Sequence, residues 1–176
     1  MDDPRKLTTE PLSLDLLNTR WTRGDILRDE PDGTAAWLVA VGLADAPAGD
    51  AARSALLTTR DALGAALAGD PAPLNEVLGR GHLAERLGPD GPERTPVVAD
   101  PTWRVPWLAA ADLLELLRAG RDRIRTCAAD DCILHFYDDS RSGRRRWCSM
   151  ATCGNRAKAR RHYEQKRGET PFRLDQ

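Results

Sequence analysis

Two short stretches near the C-terminus decide the fold of that part of the chain: CAADDC, residues 127–132, and CSMATC, residues 148–153. Each begins and ends with cysteine, and the 176 residues contain four cysteines in all. Two close cysteine pairs separated by one supersecondary unit are typical of a tetrahedral zinc site, because each pair comes from one tight turn. The sequence therefore predicts one structural Zn²⁺ ion. Its predicted ligands are Cys127, Cys132, Cys148 and Cys153.

Other uses of four cysteines fit the sequence less well. Two disulfide bonds would need an oxidising compartment, and the polar N-terminus MDDPRKLTTE lacks the apolar segment of an export signal, so we expect a cytoplasmic protein. A thioredoxin-like dithiol would need C-x-x-C spacing, which the chain lacks. An iron–sulfur cluster also binds four cysteines and stays open. His135 and His162 lack finger spacing relative to either pair, so we expect them to be surface or packing residues.

The first 120 residues show the apolar periodicity of helices. The predicted helices cover 11–21, 35–43, 50–68, a stretch after Pro71, and 107–117, and their leucine stripes are the expected core. Residues 86–106 are rich in proline and glycine and predict a loop or an extended crossing, without strands.

The pattern changes after residue 120. Residues 122–127 alternate like a strand, and 133–137 form a short β-prone run. Residues 138–143 predict a turn, 144–148 an extended segment and 153–168 a helix. This order predicts a treble-clef-like finger, a β-hairpin followed by a C-terminal helix. The predicted fold class is mainly α. The predicted domains are a helical domain over 1–120, a zinc finger over 121–168 and a tail over 169–176.

Charge is distributed unevenly along the chain, although the net charge is only −1. Residues 1–120 carry 12 Lys and Arg against 19 Asp and Glu, whereas residues 121–176 carry 14 against 8. The local field, not the total charge, attracts a phosphate backbone, so the basic C-terminal part favours DNA as a partner. The candidate nucleic-acid-binding residues are Arg144, Arg145, Arg146, Arg156, Lys158, Arg160, Arg161, Lys166 and Arg167.

Some of these cations are expected to serve the metal site instead. Four thiolates around one Zn²⁺ carry a formal charge of −2, so two or three arginines, with Arg144 or Arg156 as candidates, would neutralise it. In an extended segment Arg145 points away from Arg144 and Arg146, which predicts a different role for it. Trp147 is expected to pack in the small core of the finger.

The C-terminal stretch resembles the CGNR-type zinc finger of bacterial proteins. The resemblance rests on the Cys127–Cys132 pair, FYDDSR at 136–141, RRWCSM at 145–150 and CGNRAK at 153–158. It implies that the four cysteines bind zinc and that Gly154, Asn155 and Arg156 begin the helix.

The N-terminal part resembles the ABATE domain, which usually precedes that finger. LDLLNT at 14–19, with Trp37 and Leu38 downstream, carries this resemblance. Proteins of this kind are regarded as stress-induced or biosynthetic transcription regulators, and their finger is inferred to bind nucleic acid.

Three functions follow as expectations. The first is a DNA-binding transcription regulator. The alternative is a zinc-stabilised protein-interaction module, or an RNA-binding protein without DNA readout. An enzyme is not expected, because the chain has no HExxH, no GxSxG, no phosphate loop and no Cys–His pairing. The sequence leaves open whether the N-terminal domain binds a small-molecule effector, forms a homodimer or contacts the transcription machinery.

Overall fold

The computed structural model describes residues 10–168 and is mainly helical, as the sequence predicts. Six helices form the first part of the chain and a seventh ends the finger. The six are α1 (Leu12–Leu17), α2 (Ile26–Asp29), α3 (Gly33–Ala40), α4 (Asp50–Ala68), α5 (Ala72–Leu78) and α6 (Arg104–Gly120). A short ladder between β1 (Arg20–Trp21) and β2 (Gly24–Asp25) separates α1 from α2. None of the described helices is both long and apolar enough to cross a membrane.

The core of the helical domain lies where α1, α4 and α6 pack against one another. Trp37, Leu63 and Leu113 are among its fully buried side chains. Helix α4 covers the predicted range and ends at Gly69, whose φ of 105° lies in the left-handed region. Glycine adopts that conformation without steric cost, so the chain ends the helix there.

A hairpin replaces the loop predicted over residues 86–106. Strands β3 (Gly81–Gly88) and β4 (Gly91–Val98) pair antiparallel around a two-residue turn, and none of their residues is buried. The prediction that this domain has no strands is therefore wrong. Pro92 and Pro96 lie four residues apart, at positions whose N–H groups would point away from β3, so neither proline removes a ladder hydrogen bond.

The finger begins directly after α6. Strands β5 (Ile124–Thr126) and β6 (His135–Tyr137) pair antiparallel, and a π-helical turn, Met150–Gly154, leads into α7 (Asn155–Gly168). The segment 144–148 is predicted to be extended, but it forms no strand in the structure. The predicted domain boundary at residue 120 falls at the end of α6 and stays a prediction. The predicted tail, 169–176, lies outside the described residues.

Candidate metal centre and basic surface

Each cysteine of the cluster is placed by a local backbone feature. The N–H of Cys127 donates to the carbonyl of Leu134 at 2.9 Å, which extends the β5–β6 ladder to the first sulfur. Cys132 closes a turn by donating its N–H to Ala129 O. Cys153 lies inside the π-helical turn, so its sulfur sits at the N-terminal end of α7. Unpaired N–H groups at a helix N-terminus stabilise a thiolate there.

The four sulfur atoms lie within 4.8 Å of one another, and among the described residues they form the single group that could hold a metal ion. The Sγ atoms of Cys132 and Cys148 are 3.8 Å apart, and those of Cys148 and Cys153 are 3.6 Å apart. A tetrahedron with Zn–S bonds of 2.3 Å has edges of about 3.8 Å. All four thiols are free, since these separations are far longer than a disulfide bond. The cluster therefore fits one structural Zn²⁺.

The pKa shifts of the cysteine thiols also favour a cation at this cluster. Burial and the neighbouring thiols raise the pKa of Cys132 to about 11 and raise that of Cys148 further. Burial acts to raise the pKa of Cys153 too, but hydrogen bonds from Cys148 and Arg156 outweigh it, and the pKa lies below its usual value. A dication among the sulfurs removes this repulsion, because a coordinating thiol binds as the thiolate.

Two further contacts suit a thiolate cluster. Arg156 Nη2 lies 3.2 Å from Cys153 Sγ, so this arginine takes the neutralising role that the sequence assigned to Arg144 or Arg156. The N–H of Cys148 points at Cys127 Sγ at 3.4 Å.

Arg145 is part of the inner structure of the finger, not of its basic surface. Its guanidinium donates to the carbonyls of Trp147, Cys148 and Tyr137 and lies 4.4 Å from the ring centre of Phe136. Most of its donors are therefore used inside the finger, and its assignment to the nucleic-acid-binding set stays a prediction. The expectation that Arg145 differs from its two neighbours agrees with this placement.

A buried carboxylate organises the same turn. The side chain of Asp138 has no exposed surface and accepts from the N–H and hydroxyl of Ser140 and from the N–H of Arg145. The hydrogen bond from the Ser140 side chain is the main cause that lowers the pKa of Asp138. This role of Asp138 is not among those predicted from the sequence, although an Asp-x-Ser turn is a recognisable signal for it.

The other candidate cations divide into two sets. In the first, Arg156 pairs with Asp131 at 2.9 Å and Arg160 pairs with Asp130 at 2.5 Å, so both reach back to the loop between the first two cysteines. The second set is exposed, and no hydrogen bond or ion pair joins any of its side chains to another described residue. It consists of Arg144, Arg146, Lys158 and Arg161, and we call it the free basic set. The side chains of Lys166 and Arg167, on the last turn of α7, lie outside the described part of the chain.

Trp147 packs against the small core of the finger, as expected, and its ring centre lies 5.1 Å from the Arg146 guanidinium. His162 is exposed on α7, whereas His135 lies half-buried in β6. Neither histidine belongs to the cluster of potential metal ligands.

Hydrogen bonds from N-terminal side chains join the helical domain to the finger. The Asn18 side chain donates to His135 O at 2.8 Å and accepts from His135 N–H at 2.9 Å, as a neighbouring strand would. Glu10 accepts from the N–H of Tyr137, and the Thr22 hydroxyl donates to Asp131 O. Burial raises the pKa of Glu10, although the bond from Tyr137 and the nearby Arg145 oppose that shift. No sequence signal identifies these partners, because they lie more than 100 residues away.

Family models match both parts of the chain. The CGNR zinc finger matches residues 123–166, and the ABATE family, described as "Putative stress-induced transcription regulator", matches residues 10–120. A search of curated proteins found no significant match. The LDLLNT stretch at 14–19 lies within the ABATE match. It supplies Asn18 to the junction described above and Asp15 to the inner bond from Trp37 Nε1 to Asp15 Oδ1.

Proposed function

The chain belongs to the ABATE family and carries a CGNR zinc finger, and on that basis we propose that it is a DNA-binding transcription regulator. The observation that carries the proposal is the free basic set beside the metal centre. Its members sit on the segment and helix that the thiolate cluster holds in place.

The paired and the unpaired cations of α7 lie on different faces of the helix. Arg156 and Arg160 lie four residues apart on one face and pair with the loop between Cys127 and Cys132. Lys158 and Arg161 lie three residues apart on the opposite face, at 100° of rotation per residue. The helix therefore attaches to the finger by one face and presents unpaired cations on the other, an arrangement that suits the phosphate backbone.

Zinc supplies a structural cross-link when bound, and the residues of the chain do the rest. The sulfurs of Cys148 and Cys153 fix the start of α7 relative to the segment that carries Arg144 and Arg146. Because both groups of cations then move as one body, their field adds at one surface. We also propose that the protein acts in the cytoplasm and is not an enzyme, since four thiolates leave no open position on the metal.

Fluorescence anisotropy with a labelled DNA duplex tests the proposal on the zinc-loaded full chain. We expect binding at 50 mM salt that weakens steeply by 200 mM, because each phosphate contact contributes about −0.9 to the log–log slope. The Lys158→Ala, Arg161→Ala double variant should bind at least about tenfold more weakly, with a slope smaller by about 2. Its zinc content should be unchanged.

The matched control removes two arginines from the helical domain. Arg86→Ala with Arg94→Ala deletes the same charge from the exposed hairpin, where each arginine pairs with a glutamate. This control should bind DNA like the original chain. Absence of binding at 50 mM salt, or equal losses in both double variants, would contradict the proposal. Preference for an RNA duplex over DNA would favour the alternative of an RNA-binding protein.

A further inference from the structure

A cleft of about 320 Å³ lies at the junction between the helical domain and the finger. Helix α4 forms one wall with Gly64, Leu67 and Ala68, and the finger hairpin forms the other with Ile124 and His135. Ligand sites occur preferentially at domain junctions, where walls from two units enclose space that neither could enclose alone. Nothing derived above assigns a role to this cleft.

Gly64 lines this cleft and also the neighbouring opening that Leu17 and Arg20 line. It lies in the middle of the 19-residue helix α4, where glycine is destabilising relative to alanine. No close packing requires it, because a Cβ at this position would meet nothing nearer than Leu17 Cδ2, at 4.0 Å. The chain therefore bears the cost of a glycine where a larger residue would fit and would reduce the cleft.

The polar groups of the cleft are available to a ligand. The imidazole of His135 makes no hydrogen bond to a described side chain or backbone group, although it is half-buried. Burial lowers the pKa of His135, so at neutral pH the ring offers one donor and one acceptor. Thr126 lines the same wall and adds a hydroxyl.

The cleft carries a positive charge without a neighbouring acid in its lining. Arg121 contributes the cation, and its Nη2 donates weakly to Leu67 O at 3.4 Å, which leaves the other guanidinium donors free. A second opening, on the other side of His135, differs because Asp61 lies there beside Arg20. The charge of Arg60, also in that opening, is already paired with Asp25 at 2.7 Å. Only the α4–β5 side therefore favours an anion.

We propose that the cleft between α4 and β5 binds a small organic anion with an apolar body, such as an aromatic carboxylate. Arg121 binds the carboxylate, His135 and Thr126 orient it by hydrogen bonds, and the apolar part packs on Leu67 and Ile124 above Gly64. Because the walls belong to two domains, the bound anion stabilises their docking. The site does not depend on DNA binding, and either proposal can fail alone.

Benzoate is the probe, titrated into the zinc-loaded full chain and followed by ¹H–¹⁵N NMR spectra. We expect saturable shifts at the amides of Gly64, Leu67 and His135. Nine heavy atoms at a modest efficiency per atom correspond to a Kd of about 1–10 mM. Benzyl alcohol, which has the same ring without the charge, should bind at least about tenfold more weakly.

Gly64→Leu should abolish the shifts because its side chain fills the cleft. Ala51→Leu, on an exposed position of the same helix, is the matched control and should bind benzoate normally. If Gly64→Leu fails to fold, Arg121→Gln decides, since it keeps a donor for Leu67 O and removes the charge. No saturable shift in the original chain, equal binding of benzyl alcohol, or normal binding by a folded variant at Gly64 or Arg121 would overturn the proposal.

Discussion

The helical domain buries fourteen hydrophobic side chains in one cluster, whereas the finger buries five, and three of these five are cysteines. The two others, Leu134 and Phe136, bury too little apolar area to offset the conformational entropy of the finger. The helical domain can thus be stable through apolar packing alone, while the finger depends on metal bonds to its cysteines. Metal removal and apolar truncation should therefore destabilise different halves of the chain.

The largest expected effect is the loss of a metal ligand. Cys148→Ser should lose zinc and unfold the finger, since metal binding in small zinc modules contributes about 10–16 kcal/mol to folding. Metal analysis should show little bound zinc, while circular dichroism should retain the helical signal of residues 12–120. Zinc bound at the original stoichiometry would show that Cys148 is not a ligand. Loss of all helical signal would show that the helical domain does not stay folded without the finger.

The second effect concerns the contact that joins the halves. Asn18→Ala leaves the N–H and C=O of His135 without their partner, and Asn18 is only 1% exposed. Two unsatisfied backbone groups should cost about 3 kcal/mol. Denaturant unfolding of zinc-loaded protein should then split into two transitions, with the finger unfolding first.

Asn75→Ala is the matched control for that experiment. Asn75 is exposed on α5, so its truncation should leave the unfolding curve nearly unchanged. A cost below about 1 kcal/mol for Asn18→Ala, within the range of ordinary surface substitutions, would mean that the junction rests on apolar contacts such as those of Trp21.

What the sequence could predict follows the same division. Local periodicity predicted α4 over 50–68, and cysteine spacing predicted the metal cluster, because both signals lie within about 30 residues. The β3–β4 hairpin could not be predicted, because proline normally interrupts a strand. Only the strand register shows that the nitrogens of Pro92 and Pro96 face away from β3. The role of Asn18 could not be predicted for a different reason. Its partner His135 is 117 residues away, and spacing along the chain carries no information about such a pair.

A smaller effect should separate the paired cations of α7 from the free ones. Asp130→Asn with Asp131→Asn removes the two carboxylates with which Arg160 and Arg156 pair on the loop between the first two cysteines. Exposed ion pairs contribute little to stability, so the melting temperature should hardly change. DNA binding should become about fivefold tighter, because DNA no longer competes with two carboxylates.

The control for this double variant is Asp122→Asn with Asp139→Asn, which changes the net charge equally at exposed positions of the finger outside α7. Anisotropy titrations at one salt concentration compare the two. Equal gains would show that only total charge matters. An unchanged affinity in the first variant would place Arg156 and Arg160 outside the DNA surface.

The smallest expected effect comes from glycine substitutions in the helical domain, away from the metal cluster. Gly64→Ala should raise the free energy of unfolding by about 0.5–1 kcal/mol, because the added Cβ meets no atom nearer than 4.0 Å and the unfolded chain loses freedom. Gly69→Ala should lower it by about 1 kcal/mol, since its φ of 105° strains any L side chain. Urea unfolding measures both, and zinc content should stay constant.

Opposite signs at two glycines five residues apart would show that backbone conformation and packing set the stability of this half. Equal signs would contradict this account. A change in bound zinc would mean that the finger and the helical domain are coupled through α4 more tightly than their separate cores indicate.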